Sequence, residues 1–168
     1  MKYMQHGGFQ HRGPMRLTLG LSLAFLVGLW LTGFGMYFSR MDLSPASVRA
    51  YYLGSEDGFS NPRSYASMLE TAHAHFGMMA VVLLLLTHLV LFAPLTDKQK
   101  KAMVWAAFGA AFIEETSGWL VRFVHPGFAP LKTISFLAFQ AVLGGLLLAL
   151  ALFLRRGAAE EHSFHKRH

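Results

Sequence analysis

The chain has 168 residues, of which 54% are hydrophobic and only 14% charged, and its formal net charge is +6. The apolar residues are gathered into four blocks instead of being spread, which excludes an ordinary soluble domain and predicts an integral membrane protein. With no cysteine, disulfides, thiolate-held iron–sulfur clusters, covalent c-type haem and cysteine zinc sites are excluded, leaving histidine, methionine and carboxylate as ligands.

Taken in chain order, residues 1–13 are a polar, basic tail, and the first block, Leu17 to Phe38, opens at Pro14, a residue suited to a first helical turn. It is too long for the core of a signal peptide and no small-residue cleavage site follows, so it reads as a retained helix. Gly20, Ala24, Gly28, Thr32 and Gly35 give it a ridge of small residues, the kind that lets membrane helices approach closely. The long loop 39–68 contains SPASVRAYYLG, which predicts a short amphipathic helix with Tyr51 and Tyr52 at the membrane interface, capping the outer end. The second block, Thr71 to Leu95, is followed by the short basic connection Ala93 to Lys101. The third, Ala102 to Phe123, and the fourth, Thr133 to Leu154, flank the turn HPGFAPLK. Residues 157–168 form a second polar tail, and its histidines, like His6 and His11, are given no role.

Ten lysines and arginines (Lys2, Arg12, Arg16, Lys98, Lys100, Lys101, Arg155, Arg156, Lys166, Arg167) fall on one side and five (Arg40, Arg49, Arg63, Arg122, Lys132) on the other. The expected fold is therefore all-α: an integral membrane four-helix antiparallel bundle over residues 14–156 with both termini cytoplasmic, in a bacterial inner membrane. The positive charge belongs with orientation and anionic headgroups; no nucleic-acid pattern accompanies it.

Candidate site residues lie in the second and third blocks. In LETAHAHFGMMAVVLLLLTHLVLFAP, His73 and His88 are about 22 Å apart along a helix and offset by about 60°, with Gly77 near the strip between them. His75 is rotated away from that strip, beside Met78 and Met79. In the third block Ala107, Ala111, Glu114, Gly118, Arg122 and His125 fall within a sector of about 80°. Antiparallel neighbours bring His73 and His125 to a similar depth near the outer surface. A single ion or haem iron can be held there from two sides, with Gly77 and Gly118 leaving room for the ring, and Arg122 with Arg63 or Lys132 pairing the propionates. Glu114 and Glu115, adjacent carboxylates midway along a membrane helix, point about 100° apart, and at least one needs a partner. Glu114, on the stripe, is a candidate proton-relay or quinone-site group; contact with another helix or subunit is the competing account. Glu70 and His73 make an E-x-x-H spacing, half of a carboxylate-bridged di-iron pattern whose other half is missing. His88, beside Thr87, also reads as an interhelical hydrogen-bonding group.

The histidine pair, the intervening glycine, the THL ending of the second block and WLTGFGMYF in the first resemble four-helix membrane b-type cytochromes, such as those serving formate dehydrogenases and hydrogenases. The fourth block, TISFLAFQAVLGGLLLALALF, contains no histidine, so the pattern implies one haem b and not two. Three functions follow as expectations. One is membrane electron transfer through a b-type haem near the outer face, exchanging electrons with a quinol or a periplasmic redox subunit. The others are a non-redox accessory subunit of a larger membrane complex, and a transition-metal binding protein using His73, His75, His125 and the glutamates.

Overall fold

A computed structural model describes residues 13–56 and 58–165, with side chains as far as Arg155. The described residues form α1 (Gly13–Phe38), the short α2 (Pro45–Leu53), α3 (Tyr65–Val90), α4 (Asp97–Trp119) and the long α5 (Ala129–His165). A π turn, Leu120–Val124, and a 3-10 turn, Pro126–Phe128, join α4 to α5. The expected cytoplasmic tails fall on residues outside this description or on side chains outside it.

Three segments are long and apolar enough to cross a bilayer: Gly13–Phe38, Tyr65–Val90 and Pro126–Arg155. The chain is an integral membrane protein. Where four equivalent spans are expected from the sequence, α4 differs in kind: it has 23 residues, but it starts on Asp97, Lys98, Lys100 and Lys101 and carries Glu114 and Glu115. Its polar groups must therefore be met from inside the bundle.

α5 is the helix on which the others assemble, packing against α1, α2, α3 and α4. Its inner residues Phe139, Leu146, Leu147 and Leu150 join Leu83, Leu86 and Val90 of α3 and Ala107 and Ala111 of α4 in one core. The alanines bring α4 close to α5, and where lipid replaces water such close packing supplies the attraction. A second core at the other end joins Tyr37, Met41, Val48, Tyr52, Met68, Val121 and Phe136.

Residue pairing fixes α1 antiparallel to α5. The Trp30 indole donates to the Gln140 carbonyl at 2.9 Å, Phe34 meets the Phe136 ring edge-on, and Tyr37 stacks on that ring at 3.8 Å. Apart from Tyr37, α1 has no buried residue, so it is a peripheral helix held along one seam. α2 starts where Ser44 caps it through the Ser47 amide and Pro45 fills the first turn. Hydrogen bonds from Ser44 hold the exposed Asp42 carboxyl below the usual carboxylate range. The helix ends at Gly54, whose φ of +83° and approach to the Ser60 carbonyl admit no side chain. α2 then lies across the end of the bundle and sets Tyr52 over Gly118.

That contact yields a test. A Cβ at Gly118 would stand 2.6 Å from the Tyr52 hydroxyl oxygen, whereas one at Gly109 on the same helix would meet nothing. Gly118→Ala is expected to destabilise the protein by about 1–3 kcal/mol through overpacking, while Gly109→Ala costs little, as read by thermal melts of the detergent-solubilised protein.

Candidate functional site

The adjacent carboxylates Glu114 and Glu115 leave α4 in different directions, and each finds a cation or imidazole on a different helix. Glu114 forms an ion pair with the buried Lys132 ammonium of α5, which also donates to the Glu114 carbonyl at 3.0 Å. The Ser117 hydroxyl donates to that same carbonyl at 2.7 Å and lies 3.1 Å from the Ser135 hydroxyl, which in turn donates to the Lys132 carbonyl. This cluster is closed on itself and stitches α4 to α5. Beside it the buried Tyr52 phenol has its pKa pushed up, chiefly by burial, and stays protonated.

Glu115 turns to α3. Its Oε2 lies 3.0 Å from His75 Nδ1, and the carboxylate is only 8% exposed while the imidazole is 45% exposed. With Nδ1–H donating to the carboxylate, Nε2 has no hydrogen-bond partner among the described residues and can accept a proton or a hydrogen bond. The pair is thus buried on its acid side and open on its imidazole side.

What it opens to is a cleft of about 290 Å³ between α1 and α3, floored by α4 and α5. α1 and α3 make little contact with each other, each leaning on α5 instead. Most of the lining is apolar, including Leu29, Met36, Met79, Leu83, Phe139 and Leu143; His75, Glu114, Glu115, Lys132 and Gln140 supply polar groups. The volume is near the lower end of ordinary ligand pockets, roughly 300 Å³. Arg40 and Arg63 stand at the end nearer α2, where Arg40 donates to the Tyr51 hydroxyl at 3.2 Å and Arg63 lies over the Tyr51 ring.

The histidines expected to face one another do not share this cleft. His73 is exposed on the far side of α3, as are Glu70 and Gly77, and a Cβ at Gly77 would meet nothing. His125 is exposed too: the π turn breaks the 100° progression that groups it with Glu114, leaving it extended, with φ −160° and ψ 137°, and outside the helix. Its Nδ1 accepts from the Gly127 amide at 2.9 Å, a local cap. Gly118 gives its space to Tyr52 instead of to a ring ligand. Arg122 spends its Nε on the Arg63 carbonyl at 2.7 Å and lies over Phe123. His88 is exposed and packs edge-on against Phe92. Met78 and Met79 line the cleft with His75, and among the described residues no group of three or more histidines and carboxylates is arranged to hold a metal ion.

One cleft residue was not a candidate from sequence, and another was a candidate for a different partner. Gln140 stands alone as an amide in an apolar run, and such isolation was itself a signal. Lys132, expected from sequence as a possible propionate partner, pairs instead with Glu114, a contact that needs the α4–α5 hairpin.

Residues 42–161 match a family of transmembrane helical domains designated Aq_1264_TM. The chain belongs to that family. The matched region runs from just before α2 into the last part of α5, so α1 lies outside it. No curated protein and no solved structure matches the chain.

The Glu114–Lys132 pair can be separated from the rest of the site by mutation. Lys132→Met leaves a buried carboxylate without its cation and is expected to cost about 3–5 kcal/mol, and the double change with Glu114→Gln to recover most of that loss. Thermal melts of the three variants measure the coupling.

Proposed function

We propose that this chain is a membrane electron-transfer subunit that holds a lipid-soluble quinone or quinol in the cleft between α1 and α3. The observation that carries the reading is the His75–Glu115 pair, an acid-backed imidazole whose open nitrogen stands at the wall of an apolar cleft between two membrane-length helices. Such a pair suits a ligand that is greasy over most of its surface and exchanges protons at one oxygen. The imidazole takes one hydroxyl proton of a quinol at Nε2, and Glu115 stabilises the imidazolium that results. The proton of the other hydroxyl is released to water, and the two electrons pass to a redox group of a partner subunit. In the reverse direction the protonated imidazole donates to a quinone carbonyl.

Orientation is part of the same proposal: both termini cytoplasmic, in a bacterial inner membrane, with loop 39–68 outside, as the ten-to-five partition of lysine and arginine supports. A cysteine placed at Ser60, exposed in that loop, is expected to react with an impermeant reagent added to intact cells.

The haem b of the sequence resemblance is a separate matter. Its two expected ligands, His73 and His125, are both exposed and neither lines the cleft, so a haem they held would stand apart from the quinone site. No step is assigned to it. A reduced-minus-oxidised spectrum of the purified protein decides: no alpha band is expected, and a band abolished by His73→Ala and His125→Ala would restore the two-histidine arrangement.

The quinone reading has its own test. In phosphatidylcholine vesicles, His75→Ala and Glu115→Gln are each expected to weaken binding of a short-chain benzoquinol by about tenfold or more, since hydrogen bonds to charged groups are worth about 1.5–3 kcal/mol. His73→Ala should leave it unchanged. Wild-type protein that binds no quinol, or an unaltered affinity in His75→Ala, overturns the reading.

A further inference from the structure

An uncharged amide inside an apolar membrane helix is costly unless something pairs with it. Gln140 is such a residue, seated in the middle of α5 and only 7% exposed. Its backbone carbonyl is occupied, accepting from Trp30 Nε1. Its side chain is not: Oε1 is fully buried and, among the described residues, has no hydrogen-bond partner. The carboxamide lies in the wall of the α1–α3 cleft, and it fits there because the facing residue of α1 is glycine. A Cβ at Gly33 would come within 3.0 Å of Nε2. A satisfied core glutamine would have spent its amide on a neighbouring helix. This one has been left with an unpaired acceptor.

We propose that Gln140 is the second polar anchor of the cleft, binding one oxygen of a two-oxygen ring ligand whose other oxygen is held by His75 and Glu115. The inference rests on the quinone reading above and adds to it the ligand's second contact. A carboxamide suits that task in both redox states, since Nε2 donates to a carbonyl and Oε1 accepts from a hydroxyl. His75 and Gln140 line the same cleft. A ligand with a single oxygen satisfies one anchor and leaves the other unpaired.

The test compares two ligands on full-length protein in phosphatidylcholine vesicles: a short-chain benzoquinol and a monophenol of the same ring and tail, lacking the second hydroxyl. Wild type is expected to bind the quinol about tenfold more tightly, an increment of the size one neutral hydrogen bond supplies. Gln140→Leu should erase that difference by weakening the quinol alone. Gly33→Ala, which presses on the amide while leaving Gln140 in place, should shift the quinol in the same direction. Gly35→Ala, where a Cβ meets nothing, should not. Quinol affinity unchanged in Gln140→Leu, or an equal loss for both ligands, overturns the role of Gln140 while the quinone reading stands on His75. Wild type that binds neither ligand overturns both.

Discussion

Two adjacent carboxylates in the C-terminal part of α4 impose the constraint from which the rest of this structure follows. Glu114 and Glu115 project about 100° apart, so no single neighbour can serve both, and neither can be left in hydrocarbon. α4 is therefore wedged between α5, which brings Lys132, and α3, which brings His75. The two solutions differ in consequence. Lys132 and Glu114 are knotted with Ser117 and Ser135 into a closed cluster that holds helices together, while His75 and Glu115 are closed on one side only. One carboxylate is used for architecture and its neighbour faces a cleft.

The position of α1 explains why a cleft exists at all. α1 makes its seam with α5 through Trp30, Phe34 and Tyr37 and leaves the gap toward α3 unfilled. The family match covers residues 42–161, so α2, α3, α4 and most of α5 lie inside it and α1 lies outside. That helix carries Gly33, opposite the amide of Gln140, and Trp30, which fixes the backbone of the same residue. The proposed quinone site is thus composite. Its acid–imidazole end belongs to the family domain, and its second side is supplied by the helix outside it.

Much of this was legible in the sequence because hydrocarbon is an unforgiving solvent. The apolar blocks, the capped helix at Pro45 and the short connections could be read from residue type and spacing, since each has a local cause. The need of Glu114 and Glu115 for separate partners could be read as well, from the helical angle alone. What failed was projection across an irregularity. The sector joining Glu114 to His125 assumed an unbroken α-helix, and five residues of π turn carried His125 out of it. His73 and His75 point about 200° apart on an isolated helix, and only the packing of α3 against α4 turns His75 toward Glu115 and leaves His73 exposed. Tyr52 in the space of Gly118 is a contact between elements far apart in sequence, with no local signature.

The central claim, that the α1–α3 cleft receives a quinone, is tested most directly by photoaffinity labelling with an azido-quinone in native-like membranes, followed by mass spectrometry of the labelled peptides. The account predicts adducts on cleft-lining residues of α1, α3 and α5, among them the segments containing Met36, Met79 and Leu143, suppressed by excess unlabelled quinone. Labelling confined to the outward face of α3 around His73, or adducts that excess quinone does not suppress, would contradict it.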